Sequence, residues 1–195
     1  MSAFDTSTDD ATLSRLRARL AADAESSDIL DVAYRTVDSP IGTLLLASTP
    51  RGLVQVAFGS EDQDAVLGML ADRVSPRVLE APVRLDSAAF ELDEYFAGTR
   101  RTFDLPLDLQ LTSGFRRQVI EHLREIGYGE RENYGTVASA IGSPKAVRAV
   151  GTACGHNPLP LVIPCHRVVR SDGAIGQYRG GAAAKTALLE LEAAA

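Results

Sequence analysis

Cys165 and His166 sit side by side in the stretch Asn157-Pro158-Leu159-Pro160-Leu161-Val162-Ile163-Pro164-Cys165-His166-Arg167-Val168-Val169. A thiol beside an imidazole is a nucleophile beside a base, and a nearby base or cation brings a thiol pKa down toward neutrality. The run from Leu159 to Ile163 carries no charge and reads as a buried, rigid support for the pair. Adjacent side chains on an extended backbone point to opposite faces. His166 therefore reaches the thiol only through a bend at Pro164 or through a bridging water. A third group would hold the imidazole, as in other nucleophile–base–orienter sets, and Glu192 is one candidate. The plainer reading makes Cys165 a small buried hydrophobe and His166 a packed core residue.

The surroundings of the pair shift that balance. Asn157-Pro158 precedes Pro164-Cys165-His166-Arg167-Val168-Val169, and Gly173-Ala174-Ile175-Gly176-Gln177-Tyr178, Gly180-Gly181, Lys185 and Leu188-Leu189 follow it. In these residues the chain resembles the O6-alkylguanine-DNA alkyltransferases, the methylated-DNA–protein-cysteine methyltransferase family. The resemblance is strong over residues 111–192 and moderate over 32–58. It implies an α+β fold: an RNase H-like α/β domain, then a mostly helical, winged-helix-like domain with a helix-turn-helix. The corresponding division is a tail and helix at 1–28, an N-terminal domain at 29–109 and a DNA-binding, alkyl-accepting domain at 110–195.

Composition sets the bounds. The chain of 195 residues is 45% hydrophobic, enough for one large or two small cores. It has no run of 18 apolar residues and no secretory pattern at Met1-Ser2-Ala3-Phe4-Asp5, so the expectation is a cytoplasmic protein without membrane contact. That setting keeps Cys154 and Cys165 reduced, a disulfide between them being the alternative. The net charge of -6 argues against a general nucleic-acid binder. Its distribution matters more: residues 1–110 hold 10 Lys+Arg against 19 Asp+Glu, and residues 111–195 hold 10 against 7. The motif thus lies in the half whose charge suits phosphate.

Elements that position the motif can be read from pattern. Residues 1–10 read as a flexible tail. Residues 11–24 read as a helix with Leu13, Leu16 and Leu20 on one face and Arg15, Arg17 and Arg19 elsewhere; docking on the body is the expectation, and contact with DNA the alternative. Three strands, 32–37, 44–47 and 53–58, separated by Ser39-Pro40-Ile41-Gly42 and Pro50-Arg51-Gly52, predict an antiparallel meander. Helices follow at 62–72 and 84–97. The second has an apolar face of Leu85, Ala88, Leu92, Tyr95 and Phe96, with Glu91, Asp93 and Glu94 on a solvated face. Residues 103–109 read as an extended linker. A helix capped by Thr112 or Ser113 runs toward Gly127. Thr136 caps a short helix at 137–141, and Ser143 with Pro144 opens another from Lys145 to Cys154. Two short helices joined by a glycine-containing turn make a helix-turn-helix. The last helix spans 182–192.

The remaining roles come from the resemblance. It implies that Cys165 accepts an alkyl group, that His166 takes the thiol proton through a water, that Glu192 orients His166, and that Asn157 supports the turn. Tyr134 would crowd the phosphate beside a flipped base. Val168 would read the guanine through its carbonyl, Tyr178 would donate to the purine, and the backbone at Arg179, where relatives often have a small residue, would line the pocket. The second short helix, with Lys145, Ala146, Arg148, Ala149, Gly151 and Thr152, would enter the minor groove, Arg148 filling the space of the everted base. Val147 stands where the family has alanine. The implied partner is double-stranded DNA carrying O6-alkylguanine, met by a monomer. No cofactor is needed, because the lesion is the alkyl donor. Residues 1–110 contain neither Cys nor His, so the zinc that some relatives hold in that half has no nitrogen or sulfur ligand here. His122 and His156 read as surface or capping residues. Three rivals stand beside this reading: a multiple-turnover cysteine hydrolase, a sequence-specific repressor indifferent to Cys165, and a damage sensor, whose relatives lack the cysteine.

Overall fold

Short apolar runs separated by turn residues build the first half. The computed structural model describes residues 6–194. In it β1 (Val32–Val37), β2 (Leu44–Thr49) and β3 (Gly52–Phe58) form the expected antiparallel meander. Ser39 pins the first turn, its hydroxyl donating to Gly42 O and accepting from Ile41 N. A fourth strand, β4 (Val78–Glu80), pairs in parallel with β1 and gives the order β3-β2-β1-β4. Three residues are too few to show a period, so the sequence carries no sign of it.

The sheet is covered on both faces. Val32, Leu45, Ala47, Val54 and Ala57 pack with Val66 and Leu70 of α2 (Gln63–Arg73). Ala33, Leu44, Leu46, Val56 and Phe58 face the opposite core. A bulge between Ala47 and Ser48 breaks the strict alternation, so Leu53 and Val56 share a face. The helix expected at 84–97 is split into a 3₁₀ turn, Pro82–Leu85, and α3 (Asp86–Phe96), since Pro82 favours a helix start. Leu85, Ala88, Leu92 and Tyr95 are buried as predicted. Glu91 is not on a solvated face: it is buried, accepts Asp104 N at 2.9 Å and pairs with Arg100.

The first helix, α1 (Thr6–Ser26), starts earlier than expected and takes in half of the predicted tail; residues 1–5 lie outside the described residues. Its leucines do not dock. Leu13, Leu16 and Leu20 are 49–55% exposed, and the body is met instead by Ala21 and Ala24. Small side chains let the helix lie close where leucines would hold it off.

The second half follows the expected order with shifted boundaries. After α4 (Gly114–Leu123), two-residue strands β5 (Glu132–Asn133) and β6 (Val168–Val169) pair in parallel. Between them lie α5 (Tyr134–Ala140) and α6 (Val147–Gly155), and α7 (Gly181–Ala193) closes the fold. The cap of α5 is Asn133, not Thr136: its Oδ1 accepts from Gly135 N and Thr136 N. The residues Ser143 to Ala146 form a turn, so Lys145 and Ala146 precede α6 rather than belong to it. No described helix is long and apolar enough to cross a membrane.

The two halves share a core. Leu44, Val56, Phe58, Leu92 and Tyr95 from the first half belong to the same apolar cluster as Val119, Leu123, Leu159, Ile163 and Leu188. Backbone joins them too, with Val56 N donating to Pro158 O at 2.8 Å. The extended segment at 103–109 clips onto β3 through Leu53 N to Pro106 O and Asp108 N to Leu53 O. That clip needs a glycine. Gly52 has φ +131°, and a Cβ there would lie 2.1 Å from Pro106 O. Gly52→Ala should therefore cost at least about 2 kcal/mol in denaturant unfolding. Gly42→Ala, with φ +100° but open space around it, should cost roughly half as much.

Candidate active site

The support for Cys165 is buried, as expected, and takes the form of a compact turn. Asn157 builds it: Nδ2 donates to Ile163 O at 2.8 Å, and Oδ1 accepts from Leu159 N at 3.0 Å. Ile163 N donates to Leu159 O, and Leu161 adopts φ +74° inside the loop. All five residues from Leu159 to Ile163 except Val162 are buried. The chain then enters a 3₁₀ turn at Cys165–Arg167, which splays the consecutive side chains of Cys165, His166 and Arg167 apart.

Each of the three takes a different direction. The Cys165 side faces a cavity of about 1020 Å³, although the residue is only 3% exposed. His166 points backward, its Nε2 2.9 Å from Glu192 Oε1. Arg167 forks onto the same carboxylate, Nε donating to Oε2 at 2.9 Å and Nη2 to Oε1 at 2.8 Å. Gly129 N donates to Oε2 at 3.1 Å, and Tyr95 OH donates to Oε1 at 2.7 Å. Burial opposes the charge on Glu192, but the hydrogen bonds from His166 and then Arg167 outweigh it and hold the carboxyl well below the usual carboxylate range. An ionised Glu192 fixes the tautomer of a neutral His166: Nε2 carries the proton, and Nδ1 keeps its lone pair. Nδ1 is buried and has no protein partner. Burial, working against the Glu192 hydrogen bond, lowers the His166 pKa and keeps the ring neutral.

The thiol contradicts the expectation of a lowered pKa. Burial pushes Cys165 up, and the hydrogen bond from Asn157 and the charge of Lys185 only partly offset it. The resting sulfur is a thiol, so its chemistry requires a base at the moment of attack. Cys154 lies on the same cavity wall and is also free, with burial raising its pKa further from use.

The cavity joins this sulfur to the helix-turn-helix. Its wall includes Arg148, Gly151 and Thr152 of α6, and Tyr134, Tyr178 and Arg179. Tyr134 is held there because β5 lies beside β6, and its ring packs near Gly151 and Gly176. A Cβ on Gly176 would come within 3.1 Å of the Tyr134 hydroxyl. Tyr178 stacks edge-on against Phe58 at 5.5 Å, and its buried hydroxyl has no protein partner. Arg148, Ala149 and Thr152 are exposed on α6, with Val147 41% exposed at the cavity mouth. Gly151 is half-buried against Tyr134 rather than on the outer face, while Lys145 and the half-buried Ala146 lie outside the cavity wall. His156 caps α6 through Thr152 O, as expected; His122 is instead mostly buried and meets Glu132 at 2.9 Å.

Two of the predicted residues carry further bonds within the protein. The Val168 carbonyl already accepts from Lys185 Nζ at 2.6 Å, leaving one lone pair. Arg179, on the cavity wall, holds Glu61 and Asn157: Nε donates to Glu61 Oε2 at 2.7 Å, and Nη1 to Asn157 O at 3.3 Å. Glu61 and Tyr95 were invisible as site residues, because nothing in their local pattern marks a partner more than 90 residues away.

The comparisons with known proteins point one way. Residues 32–109 match the ribonuclease-like domain of 6-O-methylguanine DNA methyltransferase, and residues 114–194 match its DNA binding domain. A methylated-DNA–protein-cysteine methyltransferase of Mycolicibacterium paratuberculosis is 43% identical over 161 residues, which is 83% of this chain and 92% of that protein. The bifunctional transcriptional activator/DNA repair enzyme Ada of Escherichia coli is 40% identical over 84% of this chain and 46% of its own. The structure of Mycobacterium tuberculosis OGT in complex with DNA superposes with a TM-score of 0.74 at 40% identity, covering 83% of this chain and 93% of that one.

The carboxylate cluster makes a pH-dependent prediction. A folded pKa below the unfolded one stabilises the fold fully above the unfolded value, near 4.5, and that stability drains away as pH falls toward the folded value. Glu192→Gln should lose about 3–5 kcal/mol at neutral pH by leaving Arg167 buried and unpaired. The gap between variant and wild type, read from urea melts, should narrow steadily below pH 4.5.

Proposed function

This chain belongs to the 6-O-methylguanine DNA methyltransferase family, and we propose on that premise that it repairs DNA by moving the alkyl group of O6-alkylguanine onto Cys165. DNA is the partner. The transfer is direct and irreversible, and one molecule serves one lesion. The observation that carries the reading is the shared cavity, in which Cys165, the exposed face of α6 and Tyr134 open onto one space with His166 and Glu192 behind the sulfur.

The mechanism follows from the proton positions. Alkylation of O6 weakens pairing, which lowers the cost of turning the base out of the stack. Arg148 fills the space it leaves, and Tyr134 crowds the adjoining phosphate, with α6 in the minor groove. His166 Nδ1 takes the thiol proton through a bridging water, and the imidazolium is held by Glu192. The sulfur attacks the alkyl carbon in line; the S–C bond forms as the C–O6 bond breaks, and the electron pair passes to the purine. Tyr178 OH donates to the purine as that charge grows, and the free lone pair of the Val168 carbonyl accepts from its edge. The proton removed from sulfur returns to the guanine, so the ledger closes without a cofactor. The thioether has no carbonyl for water to attack, so the thiol is not regenerated. Asn157 holds the turn, and the backbone at Arg179 lines the cavity. Lys145, Ala146, Ala149, Gly151 and Thr152 form or border the DNA-facing surface. The protein acts as a monomer in the cytoplasm, with residues 1–28, 29–109 and 110–195 as its successive parts.

Intact mass after incubation with a duplex carrying O6-methylguanine should show a stoichiometric gain of one methylene on the Cys165 peptide; repeated ester hydrolysis with no gain would overturn the reading. Arg148→Ala should slow repair of the duplex roughly tenfold while leaving reaction with free O6-benzylguanine nearly unchanged. Equal losses on both would remove the side chain from the base-eversion step.

A further inference from the structure

The carboxylate behind the imidazole has a partner from the other half of the molecule. Tyr95 lies on α3, in the ribonuclease-like half, and is fully buried. Its hydroxyl donates to Glu192 Oε1 at 2.7 Å, across 97 positions of sequence. That oxygen is the one His166 Nε2 also meets, at 2.9 Å. We propose that Tyr95 is a positioning residue of the transfer reaction, which sets the basicity of His166 by sharing the carboxylate oxygen that His166 uses. The proposal rests on the alkyl-transfer reading above and assigns part of its relay to a half that holds neither Cys nor His up to residue 110.

The local geometry makes the hydroxyl more than a packing group. The Tyr95 ring is fixed by Phe96, Phe103 and Tyr128, with centroids 5.3–6.0 Å away. A phenylalanine would keep those contacts and lose only the oxygen. The hydroxyl does not titrate into use: burial first, and then the Glu192 charge, raise its pKa, so it remains a donor throughout the working range. A donor on Oε1 withdraws electron density from the bond to His166. It therefore weakens the stabilisation of the imidazolium and favours the neutral ring that can take a proton.

Other groups face the same pair and act in fixed directions. Arg167 forks onto Glu192 from the 3₁₀ turn, and Gly129 N comes from the loop after α4. Tyr128 lies under Arg167, with Arg101 on its ring as well. Lys185 from α7 lowers the His166 pKa by charge, and the Tyr178 ring lies 6.3 Å from the imidazole. Cys165 is the sulfur to be deprotonated. Among these groups Tyr95 is the one on the first-half sheet domain that touches the carboxylate.

The test is the pH dependence of single-turnover transfer from free O6-benzylguanine at saturation, followed by intact mass between pH 5 and 9. Tyr95→Phe should move the acid limb up by roughly half a pH unit, because an unshared Oε1 holds the imidazolium more firmly. It should leave the affinity for an unmodified duplex unchanged. With 3-fluorotyrosine at position 95, a stronger donor in the same packing, the limb should move down instead. Opposite shifts are the expected result, and a purely structural hydroxyl cannot produce them. Coincident acid limbs for wild type and both variants would overturn the proposal, even if thermal stability fell. Should Tyr95→Phe fail to fold, the fluorotyrosine shift alone decides. The two readings fail separately: wild type that gains no methylene sinks alkyl transfer, whereas coincident limbs sink only the role of Tyr95.

Discussion

A negative charge at Glu192, almost wholly out of contact with water, is tolerable only if donors surround it. Removing a carboxylate from water costs several kcal/mol, and an isolated one would simply take up a proton. Here the donors come from every direction: Arg167 and His166 from the turn that carries the sulfur, Gly129 from the loop after α4, and Tyr95 from α3. Meeting this single electrostatic demand gathers four distant segments. The same bonds decide which imidazole nitrogen holds the proton, so the site's tautomer is a by-product of keeping one anion solvated by protein.

The second constraint is the sheet. Strands β2 and β3 are buried along their length because α2 covers one face and α1, α3 and the sulfur-bearing half cover the other. β3 sits at the junction. It takes a backbone bond to Pro158, the Phe58 ring meets Tyr178, and a Cβ on Gly180 would lie 2.6 Å from that ring. Glu61, just beyond β3, accepts Phe58 N and holds Arg179. The walls of the cavity are thus hung on the first half, although none of its lining residues comes from there. The acidic half serves the site through its core and its backbone bonds.

Much of this was legible before any coordinates. Strands β1 to β3 announced themselves by turn residues at both ends, the pairing of Cys165 with His166 was carried by their adjacency, and the place of Asn157 by the family resemblance. What escaped depended on distance or on partners. Glu91 looked like a solvated face because its helix neighbours are charged, yet Arg100 and the Asp104 backbone bury it. The leucine row of α1 looked like a docking face, but a period only says which residues share a side, not which side meets the body. The burial of the Leu159–Ile163 run was legible from its apolar composition, but its fold-back was not, because that depends on bonds from the Asn157 side chain. The guanidinium of Arg179 is steered by Glu61, 118 positions earlier, and no local pattern encodes such a pair.

Burial of the Cys165 sulfur raises its pKa and leaves it protonated at rest. Thiols react with stray electrophiles and oxidants far more slowly than thiolates do. An acceptor that can be used once has no second chance if a passing reagent consumes it. A protonated, almost wholly buried sulfur, beside a base whose proton position is already set, is in effect a safety catch. The molecule stays unspent through its idle lifetime, and what primes it is the arrival of the one cargo that fits.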